Sequence, residues 1–203
     1  MQIKIQPMGP PQTNCYIVTV EGKDLIIDPG IGATQWVLKN AKNPIAILNT
    51  HGHYDHIWSN GALQEQLNIP LYVPKADAFM LEKDPLGRKA PKSKADVLVD
   101  GDQTLDIEGI SVTYRHFPGH TPGNSIIEIG DIWLSGDFLF EGSIGRWDFP
   151  YSDGREMVKS LEKALTIKKD FTVYPGHGMS TTLKAEQKNL PQWISYIKYN
   201  RYR

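Results

Sequence analysis

The chain has 203 residues, 40% hydrophobic and 22% charged, with 22 Lys and Arg against 23 Asp and Glu. That length builds a sizeable core for one domain over residues 1–203 and leaves too little for two full-sized ones. The balanced charge speaks against a basic nucleic-acid footprint or a polybasic membrane surface. A lone cysteine, Cys15, excludes an intramolecular disulfide framework, and no apolar run approaches the ~20 residues that span a bilayer. The expectation is a soluble, cytoplasmic protein with neither nucleic-acid nor membrane partners.

In chain order, residues 2–7, 15–20 and 24–28 alternate as strands, the second and third flanking a hairpin turn at Glu21-Gly22-Lys23. A helix is predicted over 34–40, followed after Pro44 by a buried apolar strand at 45–48. Strand, helix and apolar strand in succession predict a layered α/β architecture. Residues 74–94, rich in Pro, Lys and Asp, read as a helical turn plus an exposed loop. The second half repeats the rhythm, with strands at 110–116, 125–129, 132–135 and 172–174 and a helix presenting Met157, Leu161 and Leu165 on one face. The tail from Leu183 is amphipathic and reads as interrupted by Pro191. Trp193, Tyr196 and Tyr199 are expected to pack it on the body, and its cations, Lys184, Lys188, Lys198, Arg201 and Arg203, read as solvated surface.

Three of the six histidines fall in His51-Gly52-His53-Tyr54-Asp55-His56, directly after the apolar strand. A loop at the end of a buried strand holds ligands rigidly while leaving them accessible. Four such side chains crowd one tetrahedral ion, so a second metal is expected; imidazole and carboxylate without thiolate suit Zn, Fe or Mn. His120 in Pro118-Gly119-His120, Asp137 in Ser135-Gly136-Asp137 and His177 in Pro175-Gly176-His177 each follow a predicted strand and abut glycine, and could project from the same rim. His116 stands outside this pattern. Asp28, before Pro29-Gly30, is either a carboxylate behind a ligand imidazole or an ordinary turn residue.

On these motifs, with Asn14-Cys15-Tyr16, Asp28-Pro29-Gly30 and residues 142–149, the sequence resembles the metallo-β-lactamase-fold hydrolases. Within them it is most similar to the glyoxalase II-like branch, in the short form without the helical C-terminal glutathione domain. The resemblance implies a four-layer αββα sandwich with two divalent ions, zinc first and iron or manganese as alternatives. It places His51, His53 and His120 on one ion, Asp55, His56 and His177 on the other, and Asp137 between them.

Two ions sharing a water lower its pKa toward about 7, and the resulting hydroxide would attack an acyl carbon. No Gly-x-Ser-x-Gly elbow is present, and Cys15 has no dedicated base. A thiol leaves as thiolate unaided, whereas an amine needs a proton, so a small-molecule thioester is the expected substrate; Asp55 or bound water could supply a proton where one is needed. A mononuclear-iron persulfide dioxygenase-like oxidoreductase is the alternative, and a non-enzymatic metal-binding protein the third reading. Arg146 and Asp148 are expected to pair in support of the metal loop or to touch substrate. The loop from Arg88 to Lys94 is either a solvated run or a lid that attracts anions, and Tyr54 either lines the pocket or packs.

Overall fold

The computed structural model describes residues 1–200, so Arg201 and Arg203 lie outside the described residues. The N-terminal half forms a six-stranded sheet from β1 (Gln2–Met8), β2 (Thr13–Val20), β3 (Lys23–Ile27), β4 (Pro44–Leu48), β5 (Leu71–Pro74) and β6 (Val97–Val99), in that spatial order. Strands β1 to β3 pair antiparallel, and β3 to β6 parallel. The β2–β3 hairpin turns on Glu21 (φ 50°) and Gly22 (φ 78°), the left-handed pair that matches the twist of a two-residue hairpin. Helices α1 (Ala33–Asn40), α2 (Tyr54–Ile57), α3 (Asn60–Leu67) and α4 (Ala78–Lys83) cover its outer face.

The second half supplies β7 (Gln103–Ile107), β8 (Ile110–His116), β9 (Ser125–Ile129), β10 (Ile132–Gly136), a small ribbon of β11 (Leu139–Phe140) with β12 (Ser143–Ile144), then β13 (Thr172–Pro175) and β14 (Thr181–Thr182). The second sheet has the order β14-β13-β10-β9-β8-β7. Outside it pack α5 (Gly154–Thr166), α6 (Leu183–Gln187) and α7 (Leu190–Tyr199).

The apolar runs follow from this layering. Along β3, Leu25 and Ile27 face the opposite sheet while Ile26 meets the outer helices; along β4, Ala46 and Leu48 face inward and Ile47 outward. A strand buried on both faces has no polar alternation to show. Between the sheets, Tyr16, Val18, Leu25 and Leu48 pack with Val112, Tyr114, Ile127 and Leu134. Beyond the second sheet, Trp133, Phe117 and Ile126 receive Met157 and Leu161 of α5 and Ile194 and Ile197 of α7. Asp153 caps α5 by accepting from the backbone N–H of Arg155 and Glu156.

The predicted helix over 34–40 and strand over 45–48 are present, each begun one residue earlier. The tail is interrupted as expected, between α6 and α7, and Pro191 sits in the first turn of α7, where its missing N–H costs no bond. Helix α3 and strands β5 to β7 had no clear sequence signal. Among the described residues no helix is long and apolar enough to cross a membrane.

The burial pattern makes a prediction for α5. Leu161 is fully buried whereas Leu98, on the edge strand β6, is 50% exposed. Leu161→Ala should therefore lose about 2–5 kcal/mol in urea unfolding, and Leu98→Ala less than about 0.5 kcal/mol. Equal losses would mean that α5 does not cover the core as described.

Candidate metal centre

Five strand ends converge on one rim. Asp28 follows β3, His51 to His56 follow β4, His120 follows β8, Asp137 follows β10 and His177 follows β13. All seven side chains expected as ligands meet there, and ligand atoms of His51, His53 and His120, and of Asp55, His56 and His177, lie within 4.8 Å of one another in each group. Asp137 stands between the groups. Its Oδ1 is 3.3 Å from His56 Nε2, while Oδ2 is 3.4 Å from His120 Nε2 and 3.5 Å from His177 Nε2.

The imidazoles are oriented from behind. His56 Nδ1 faces Asp28 Oδ2 at 2.9 Å, and Thr50 donates to the same carboxylate through its hydroxyl (2.6 Å) and its N–H (2.8 Å). Asp28 itself takes a left-handed φ of 47°, a conformation Asp tolerates better than most residues. It is thus a carboxylate behind the His56 imidazole, in keeping with the first of the two sequence readings. With the Thr50 hydroxyl committed to Asp28, His51 Nδ1 at 3.0 Å is the donor to Thr50 Oγ1. His120 Nδ1 donates to the Arg146 carbonyl (2.8 Å) and His177 Nδ1 to the Pro11 carbonyl (3.1 Å). In the neutral form each of these four rings therefore turns a lone pair on Nε2 toward the centre. His53 differs, its Nδ1 lying 2.9 Å from His120 Nε2.

Electrostatics prepare the groups for a cation. Burial holds His51 and His120 below the usual imidazole range and takes His53 down to about 3. Burial alone would raise Asp55 and Asp137, but His56 and the other neighbouring imidazoles keep both well below the carboxylate range. Burial likewise opposes protonation of His56, yet Asp137, Asp55 and Asp28 together raise it well above its ordinary value. His177, against burial, is raised to about 9 by Asp137 and Asp55. Positive charge is wanted between these carboxylates. Nε2 of His51, His53 and His56 and Oδ1 of Asp137 are buried without a hydrogen-bond partner. A buried polar atom left so costs about 1–3 kcal/mol, and four converging atoms are a donor set for cations. Nitrogen and oxygen donors without sulfur fit Zn, Fe or Mn.

Close backbone approach completes the site. A Cβ on Gly145 would overlap the Asp137 carbonyl oxygen, and one on Gly176 the Asp137 carboxylate. Asn14 donates from its side chain to the carbonyls of Pro175 and Gly178 (3.0 Å each), and Tyr16 donates to Pro175 O (2.5 Å). The loop carrying His177 is thereby pinned to β2, across the two sheets. Thr13, also on β2, donates to Asp55 Oδ2 at 2.6 Å.

Sequence reasoning missed Asp77. This fully buried carboxylate accepts from Gly52 N (2.9 Å), Thr121 Oγ1 (2.6 Å) and Gly123 N (2.6 Å). It ties the loop of His51 and His53 to the loop of His120. No local motif marks it, because its partners are 25, 44 and 46 residues away. His116, outside the ligand pattern, faces the Pro122 carbonyl at 2.8 Å and serves the fold.

The centre opens into a cleft of about 460 Å³, whose walls include Pro11, Tyr54, Pro85, Leu86, Arg88, Phe149 and Pro150. Tyr54 lines the pocket. Arg146 and Asp148 form the expected ion pair, bidentate at 2.8 Å for both bonds, and the Arg146 guanidinium lies 4.2 Å over the Phe149 ring. Of the Arg88 to Lys94 segment only Arg88 reaches the cleft.

Two predictions follow from the supports. Asp137→Ala should lower metal content more than Asp28→Ala, since Asp137 faces both ligand groups and Asp28 only the back of one imidazole; a supporting partner typically changes affinity about 10–100-fold. Equal metal loss, read by elemental analysis after dialysis, would place Asp137 outside the bridge. Asp77→Ala should weaken metal binding about 10–100-fold without touching any ligand atom, measured by competition with a chromogenic chelator. Wild-type affinity in a folded variant would show that the two loops hold themselves.

The comparisons with known proteins agree with this geometry. A model of the metallo-beta-lactamase superfamily matches residues 8–177. The hydroxyacylglutathione hydrolase GloC of Haemophilus influenzae is 30% identical over 206 residues, covering 94% of this chain and 97% of that protein. The crystal structure of the BLEG-1 B3 metallo-beta-lactamase matches with a TM-score of 0.85 at 31% identity, covering 94% of this chain and 99% of that one. TTHA1623, solved in a di-iron-bound form, matches with a TM-score of 0.79 at 31% identity, over 90% and 96% of the two chains. With its αββα layers and its His and Asp groups gathered on one rim, the chain belongs to the metallo-β-lactamase superfamily.

Proposed function

We propose that the protein is a dinuclear metal-dependent hydrolase of thioesters, of the hydroxyacylglutathione hydrolase type. The observation that carries it is Asp137: one carboxylate presenting Oδ1 to His56 and Oδ2 to His120 and His177, between two groups that each suffice for an ion. His51, His53 and His120 would hold one ion, Asp55, His56 and His177 the other, and Asp137 would join both. Zinc is the first assignment for this donor set, with iron supported by the di-iron relative. When bound, two such ions supply an acidified water as nucleophile and polarise the carbonyl under attack.

The chain's own residues do the rest. Asp28, Thr50 and the carbonyls of Arg146 and Pro11 fix the imidazole tautomers, so that lone pairs and not N–H groups face the centre. Asp55 is held ionised and accepts the Thr13 hydroxyl, so it serves as an anion and not as the acid for a leaving group. Once the seven ligands are set aside, the polar side chains left on the cleft wall are Tyr54 and Arg88. A thiol, with a pKa near 8.5, leaves as thiolate without an acid, whereas an amine must be protonated. Phe149, Pro11, Pro85, Leu86 and Pro150 give the substrate an apolar wall and limit water around it. The H. influenzae relative, named for hydrolysis of a glutathione thioester, supports the same substrate class.

Metal content measured beside a thioester panel tests the reading. Two ions per chain and turnover of S-lactoylglutathione are expected, and His53→Ala should lower bound metal and abolish turnover while the fold survives. One iron per chain with oxygen uptake would replace the hydrolase by the dioxygenase reading. Full activity in a metal-quantified His53→Ala protein would overturn the ligand assignment.

A further inference from the structure

Among the described residues, Arg88 has the only permanently cationic side chain on the cleft wall. It belongs to a short loop organised by Asp84, which closes α4 in a left-handed conformation (φ 43°). The Asp84 carbonyl accepts from Gly87 N at 2.9 Å, and its carboxylate accepts from Arg88 N (3.1 Å) and Lys89 N (2.6 Å). Gly87 and Lys89 take left-handed φ values of 63° and 60°, so the backbone turns sharply on both sides of Arg88. The guanidinium is carried to 5.5 Å from the ring centroid of Tyr54, the residue between His53 and Asp55.

Arg115 and Arg146 are committed to carboxylates. Arg115 is paired through two nitrogens with Glu128, and Arg146 is bidentate to Asp148. Arg88 makes no such pair: its described contacts are the Tyr54 ring and the backbone bond to Asp84. Asp84 has its carboxylate turned to backbone N–H groups of the loop. A planar fork of donors, held over an aromatic ring beside a centre that acts on acyl carbon, matches a carboxylate on the substrate. The carboxylates already in the cleft, Asp55 and Asp137, are engaged with imidazoles.

We propose that Arg88 is the substrate-anchoring residue that selects thioesters bearing a carboxylate, its guanidinium gripping that anion at the cleft wall while Tyr54 supports the fork from below. This rests on the thioester reading for the reaction but not for the anion site. Lys89, Lys92 and Lys94 take no part, since none of them lines the cleft.

The test uses full-length, metal-loaded protein and matched probes. S-acetyl-3-mercaptopropionate and S-ethyl thiosuccinate carry the carboxylate in the thiol half and the acyl half, and each is compared with its neutral amide. The wild type should prefer the anionic member of at least one pair, and that pair tells which half Arg88 holds. Arg88→Ala should drop kcat/KM on that member about 10–100-fold further than on its amide, chiefly through KM, with Arg88→Lys recovering part of the preference. Metal content is measured alongside. An anion preference that is absent in the wild type, or unchanged in Arg88→Ala, overturns the proposal.

If no thioester is turned over, calorimetry with the inert thioether S-benzyl-3-mercaptopropionate and its amide separates the two claims. Carboxylate-dependent binding that Arg88→Ala weakens about 10-fold or more sustains the anion site while the thioesterase reading falls. Equal binding by wild type and variant overturns the anion site, because carboxylate binding elsewhere in the cleft is common to both.

Discussion

Asp137 and Asp55 are anions buried at a rim where the Nε2 atoms of three imidazoles, His56, His120 and His177, approach their carboxylate oxygens to 3.3–3.6 Å. Bringing charge out of water is costly unless it is paired, and bringing neutral lone pairs together without a proton or cation between them is costly as well. The surrounding structure keeps both in place. Two sheets aim five strand ends at one spot, and Asp28, Asp77, Thr13, Asn14 and Tyr16 make their hydrogen bonds to the loops that carry these side chains. The fold holds nitrogen and oxygen donors in an arrangement that a bound cation would satisfy.

That division of labour explains why the scaffold is so apolar immediately beneath the site. Every residue of Leu25-Ile26-Ile27 and of Ala46-Ile47-Leu48 is buried, one face in the central core and the other under helices. Strands fixed on both faces cannot twist or slip to relieve crowding at their ends, so the loops after them hold a spacing they would not choose in isolation. At Gly145 and Gly176 the backbone passes so close to Asp137 that there is no room for a Cβ.

The sequence displayed this site more fully than it displayed the fold around it. His51, His53, Asp55 and His56 are local in the chain, and His120, Asp137 and His177 each follow a strand with an adjacent glycine, so residue type and spacing carried the message. Asp28 was visible as a residue with two possible roles, and the 2.9 Å approach of His56 agrees with that of a carboxylate behind an imidazole. Asp77 was invisible: its role depends on partners from two distant loops, which no periodicity encodes. Strands β5 to β7 are short, and the polar, exposed positions of β7 leave no alternation to read. Pro191 marked the break in the tail, but a proline that ends one helix and one that suits the first turn of the next look alike, so the sequence alone did not show where α7 began.

X-ray absorption at the metal edge of the loaded protein tests the central claim most directly. A shell of nitrogen and oxygen neighbours with the multiple scattering of several imidazoles, no sulfur, and a metal–metal vector at about 3.5–4 Å is the expected result. A sulfur shell, or a single ion with no second metal in its surroundings at full loading, would contradict it.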